Sequence, residues 1–90
     1  MFSFGLMTDI TPRLGEQARF AEEHGFGYYW LIDSPVNWRE MAPYLTMAVM
    51  STEKSIIGAC CTNPVTRNPM VNASLHATLQ ELSGGRMVLG

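Results

Sequence analysis

Four near-continuously apolar runs, Phe2 to Met7, Tyr28 to Ile32, Ser55 to Cys61 and Arg86 to Leu89, recur every 26 to 31 residues along a chain of 90. That spacing is the length of a βαβ unit, about 30 residues. Uninterrupted apolarity, as opposed to alternation, is what strands covered on both faces of a parallel sheet require. The segments between the runs carry helix signals. Thr11-Pro12 reads as an N-cap with proline at the first helical position, Leu14, Ala18 and Ala21 share one face, and Gly25 suits a left-handed C-cap, which predicts a helix over 12–24. A second helix starts between Asn37 and Pro43, because proline is tolerated only in a first turn, and runs to about Thr52 with Leu45, Ala48 and Val49 inward. A third is capped by Asn68, opened by Pro69, lined by Val71, Leu75, Leu79 and Leu82, and closed by Ser83-Gly84-Gly85 with Gly84 as the C′ residue. His76 is one position off that stripe and is expected at the surface or in an interface.

The resulting order, β-α-β-α-β-α-β with right-handed crossovers, fits two architectures: a small doubly wound sheet, or the first half of a (β/α)8 barrel. Periodicity leaves both open. A buried-type strand reaching Gly90 with no helix after it would expose an apolar face and an unpaired edge. The expectation is therefore a single partial α/β domain over residues 1–90, with Met1 a true start and Gly90 a truncation.

Composition narrows the function classes. Hydrophobic residues make up 47% of the chain and charged residues only 16%, below the roughly 25% of an average domain, so much of the surface is expected to be covered by protein. Net charge is −2 with no basic cluster, which argues against nucleic acid or an anionic membrane as partner. No apolar run approaches the roughly 18 residues needed to cross a bilayer, and the start lacks the basic and apolar regions of a signal peptide, so a cytoplasmic protein is expected. Cys60 and Cys61 are adjacent, about 3.8 Å apart at Cα, which is short for a disulfide; they read as free thiols. Without a second Cys or His pair nearby they make a poor zinc site, and no metal is expected. Small apolar residues filling a buried strand would also explain them.

Parallel α/β folds place ligands at the carboxyl ends of their strands. In this chain those ends are Met7-Thr8-Asp9, Asp33-Ser34, Cys60-Cys61-Thr62-Asn63 and Gly90, a set of short side chains, hydroxyls and an amide. It suits a flat polar ligand held by hydrogen bonds better than nucleophilic hydrolysis. No nucleophile elbow, dinucleotide-binding glycine turn or phosphate loop is present. Structural readings stand beside each candidate: Asp33 as a turn or N-cap residue, Asn63-Pro64 as a turn initiator, His24 as a helix C-terminal cation, Trp30 and Trp38 as core or rim packing, and Arg67 as either an anion contact or a cap on a neighbouring element.

The segment Thr62-Asn63-Pro64-Val65-Thr66-Arg67-Asn68-Pro69, followed by Glu81-Leu82-Ser83-Gly84-Gly85-Arg86 and Val88-Leu89-Gly90, resembles the luciferase-like monooxygenase superfamily. It is most similar to the deazaflavin-dependent, methylenetetrahydromethanopterin reductase-like branch, whose members commonly read T-N-P-x-T-R-H-P and then L-D-E-L-S-x-G-R-x-x-L-G. Phe26-Gly27-Tyr28, Trp30 to Ser34 and Trp38-Arg39 look like that branch's second strand and following loop, so the resemblance covers nearly the whole chain.

The resemblance implies the amino-terminal half of a TIM barrel and an oxidoreductase that transfers hydride between a small organic substrate and coenzyme F420. FMN, as a monooxygenase cofactor, is the alternative. It implies a non-prolyl cis peptide at Cys60-Cys61 behind the cofactor ring, cofactor contact at Asp33 and Ser34, and Thr62-Asn63 beside the ring. Ser34 stands where many relatives have histidine, so no proton-transfer role is carried over; Asn68 replaces the usual histidine before Pro69 and remains a good N-cap. A homo-oligomer is expected, and the isolated 90 residues are expected to be inactive. The competing reading is a non-catalytic half-barrel that closes its sheet edges against a partner.

Overall fold

The computed structural model describes residues 4–37 and 39–90. The elements are β1 (Gly5–Met7), α1 (Leu14–Glu23), β2 (Tyr28–Leu31), α2 (Met41–Ser51), β3 (Ile56–Ala59), α3 (Pro69–Leu82) and β4 (Met87–Val88). The strands lie in the order β1-β2-β3-β4, each parallel to the next. This order decides between the two architectures. A doubly wound sheet reverses direction within its first four strands, whereas a barrel adds each strand beyond the last.

Register separates the two faces of the sheet. Tyr29, Leu31, Ile57, Ala59 and Met87 are buried together with Leu14, Ala18 and Ala21 of α1, Met41, Leu45, Ala48 and Val49 of α2 and Leu79 of α3. Helices α1 and α2 pack on each other, as do α2 and α3, so all three crossovers cover this face. The opposite face carries Met7, Tyr28, Trp30, Ile56, Gly58 and Val88 in paired rows. On it the Trp30 indole lies across the neighbouring strands. A Cβ at Gly5 would come 2.8 Å from Trp30 Nε1, and one at Gly58 would come 2.7 Å from Trp30 Cζ3 and 2.6 Å from the Val88 carbonyl oxygen. Both positions therefore need a residue without a side chain. Tyr28 stacks parallel to Trp30 with centroids 5.9 Å apart.

Several boundaries shift from the sequence expectation. Helix α1 has Arg13, not Thr11, as its N-cap residue and no side-chain cap, because the Thr11 hydroxyl and carbonyl are spent on the preceding turn, accepting from the Arg13 and Leu14 N–H groups. Strand pairing stops at Ala59, two residues short of Cys61. Phe2, Ser3 and Trp38 lie outside the described residues. The expected stripe on α3 is corrected: Leu79 is buried and Leu75 partly so, but Val71 and Leu82 are exposed, and His76 is buried instead of superficial. Among the described residues helix α3 packs chiefly on α2 and β4, and the ends of its apolar stripe, Val71 and Leu82, lie outside that packing. The caps at Asn68, whose side chain accepts from the Met70 N–H at 2.9 Å, and at Gly25 and Gly84, with φ of 89° and 67°, are as expected.

The amino-terminal edge of the sheet is locked by two side chains. Glu22 at the end of α1 accepts hydrogen bonds from the Glu53, Lys54 and Ser55 N–H groups and from the Ser55 hydroxyl. Burial alone would raise its pKa, but these donors outweigh it and pull the value from 4.5 to about 2. Arg86 donates from the other side to the Val49, Thr52, Ser55 and Ser83 carbonyls and to the Thr52 hydroxyl. The α2–β3 connection is thus clamped between a carboxylate on its amides and a guanidinium on its carbonyls.

Candidate functional site

At the opposite, carboxyl-terminal edge the polar residues converge on Asp33. Alternation along β2 turns Tyr29, Leu31 and Asp33 toward the helices, which puts a carboxylate where an apolar side chain would otherwise sit. Its side chain is 0% exposed. Arg67, from the β3–α3 loop, grips it with both prongs: Nε donates to Oδ2 at 2.8 Å and Nη2 to Oδ1 at 2.9 Å. The Thr62 hydroxyl donates to Oδ2 at 2.7 Å and in turn accepts from Asn72 Nδ2 at 3.1 Å. Arg67 also pairs with Glu40, the residue that caps α2.

Burial pushes the Asp33 carboxyl up, but the hydrogen bonds from Arg67 and Thr62 and the Arg67 charge prevail and hold it below the usual aspartate value. Arg67 is correspondingly raised, first by its bonds to Asp33. The pair is a charge-assisted, bidentate lock that joins the ends of β2 and β3 and the start of α2.

The six candidate residues divide into two groups. Asp33 and Thr62 spend their polar atoms on each other, Arg67 and Asn72. Asn63 spends its Oδ1 on its own turn, accepting from the Val65 N–H at 3.0 Å, the Thr66 N–H at 2.9 Å and the Thr66 hydroxyl at 3.1 Å. These three hold the strand ends in place. Cys60 and Cys61 are exposed free thiols joined by a cis peptide bond, and Ser34 is half-buried beside Asp33. These three face outward at the edge.

Sequence reasoning underrated four residues here. Arg67 pairs with Asp33 and Glu40. Glu40 was not considered, and Asn72 and His76 lie one helical turn apart on α3 with their inner atoms buried, His76 Nδ1 facing the Asn72 carbonyl at 2.9 Å. Their four-residue spacing flanking the Leu75–Leu79 stripe was the available signal.

A cleft of about 300 Å³ runs along this edge, lined by Thr62, Asn63, Pro64, Pro69, Asn72 and Gly90 among others. A larger one, about 460 Å³, lies between β1 and α1, with Thr8 at the end of β1 in its lining. Among the described residues no group of three or more His, Cys, Asp or Glu side chains is placed to hold a metal ion, and no helix is long and apolar enough to cross a membrane.

The luciferase-like monooxygenase family matches residues 6–90. The chain belongs to that family. Its relatives include 5,10-methylenetetrahydromethanopterin reductases: from Methanopyrus kandleri, 39% identical over 99% of this chain and 26% of the relative, and from Methanolobus tindarius, 37% identical over 92% of this chain and 25% of the relative. The solved structure of the coenzyme F420 dependent tetrahydromethanopterin reductase from Methanopyrus kandleri superimposes with a TM-score of 0.86 at 38% identity, covering 99% of this chain and 26% of that one. This luciferase-like chain therefore spans about a quarter of the length of the relatives it matches. Its four strands and three helices are the amino-terminal part of a (β/α)8 barrel.

Proposed function

We propose that this chain forms the part of an F420-dependent oxidoreductase that backs the cofactor's redox ring, in hydride transfer between the deazaflavin and a small organic substrate. The observation that carries the reading is the division at the carboxyl edge: exposed Cys60-Cys61 backbone and Ser34 in front, a saturated Asp33–Thr62–Arg67 lock behind. The donor set fits a flat uncharged ring system. The edge has thin side chains, no metal-binding cluster among the described residues, and a carboxylate already neutralised by Arg67. Relatives named methylenetetrahydromethanopterin reductase, and a structure whose name includes F420, support the deazaflavin over FMN.

When bound, F420 would supply the hydride chemistry. The chain's own residues supply position. Asp33 fixes Thr62 and Arg67, Thr62 fixes the backbone after Cys61, and the Cys60 N–H donates to the Leu31 carbonyl at 2.8 Å, tying the segment to β2. The half-buried Trp30 indole, seated over Gly58 on the strand that leads to Cys60, gives this face an aromatic surface. Cytoplasmic location and self-association go with this reading.

The test is titration of the protein with F420 and separately with FMN, followed by absorbance and fluorescence, with methylenetetrahydromethanopterin as the first substrate probe. Saturable binding of F420 alone, weakened in Asp33→Ala, is expected. Preference for FMN would reassign the protein to the monooxygenase branch, and binding of neither would leave the non-catalytic half-barrel reading.

A further inference from the structure

Beyond any cofactor, the geometry points to Cys60 and Cys61 acting together as one two-sulfur site for thiophilic reagents that bridge paired thiols, with trivalent arsenicals as the chemical class. Both thiols are free and exposed at the carboxyl edge of β3. Their backbone is held on either side, Cys60 by its N–H bond to the Leu31 carbonyl and the residue after Cys61 by the Thr62–Asp33 bond at 2.7 Å. Bridging two sulfurs on a segment already fixed loses little conformational entropy, which favours a reagent that takes both.

The surroundings select the same chemistry. The two thiols are carried by consecutive residues and both are exposed at the same edge, so a single atom with two open valences can reach both without any other element moving. Zinc needs four ligands, and among the described residues no third Cys, His, Asp or Glu joins the pair. Trivalent arsenic bearing one aryl group needs only two more. In the reaction of an arylarsine oxide with the pair, two S–As bonds form and the As–O bonds break. Oxygen leaves as water with both thiol protons, and arsenic stays trivalent, so neither oxidant nor reductant is required.

The test is intact-mass measurement after phenylarsine oxide treatment of the chain, then challenge with excess monothiol and with a dithiol. The expected result is one aryl-arsenic unit per chain, retained in monothiol and released by dithiol. Cys60→Ser and Cys61→Ser should each lose retention by about a hundredfold, because each removes the intramolecular second bond. Cys60→Ala and Cys61→Ala, checked by circular dichroism, serve if a serine variant fails to fold. Absence of the adduct in the unsubstituted chain, or equal retention in the single variants, would overturn the proposal.

Discussion

Arg67 and Asp33 meet through two parallel hydrogen bonds, 2.8 and 2.9 Å long, across 34 positions of sequence, and the carboxylate they cover has no exposed surface. The pair closes the carboxyl edge of the sheet as Glu22 and Arg86 close the amino edge. The two edges differ in what their locks leave uncovered. At the amino edge the Glu22 and Arg86 partners are the amides and carbonyls of the α2–β3 connection itself, whereas at the carboxyl edge Cys60, Cys61 and Ser34 stand clear of the lock.

Removing one partner of a buried charge pair strands the other. Arg67→Ala leaves Asp33 with Thr62 as its remaining side-chain donor, so the Asp33 pKa should rise and stability fall by about 2–3 kcal/mol. Urea unfolding gives the second quantity and carboxyl NMR titration the first. An unchanged Asp33 pKa would contradict the balance of burial against Arg67 described above.

Acid should act through Glu22 and Asp33. Both carboxyls titrate lower in the folded chain than when free, so both contribute stability at neutral pH that acid removes; for Glu22 that contribution is complete above about pH 4.5 and is lost as pH falls toward about 2. Glu22→Gln should be less stable at neutral pH and lose less on acidification than the unsubstituted chain. Urea midpoints between pH 7 and pH 2.5 would show it as a flatter slope.

Gly58→Ala places a Cβ 2.6 Å from the Val88 carbonyl oxygen and 2.7 Å from Trp30 Cζ3, and the backbone on that side cannot yield cheaply. A loss of about 1–3 kcal/mol is expected, with a shift in tryptophan emission as the indole is displaced. Gly25→Ala meets no neighbour, and its cost of about 1 kcal/mol comes from φ of 89° alone. Its emission should stay unchanged.

Arg86→Met keeps much of the volume while leaving the Val49, Thr52 and Ser55 carbonyls without their donor. Stability should drop by about 2 kcal/mol. Hydrogen exchange should report faster opening at the end of α2 than at its start.

Element order, the caps at Asn68 and Gly25 and the inward faces of α1 and α2 were legible from residue types and spacing, because caps and amphipathic faces are decided within a few turns of chain, whereas the position of the cis peptide was legible from the motif resemblance alone. Strand order was not legible: local pattern is the same in a doubly wound sheet and a barrel, and the order in which the strands pair, with all three helices on one face, separates them. His76 and Val71 exchanged their expected environments because burial on α3 depends on which neighbours the helix meets. Asp33 and Thr62 were recognisable as candidate residues from their place at the strand ends. That they form a buried lock, while Cys60 and Cys61 stay exposed at the same edge, was decided by tertiary structure, since the partner that grips Asp33 is an arginine 34 residues away.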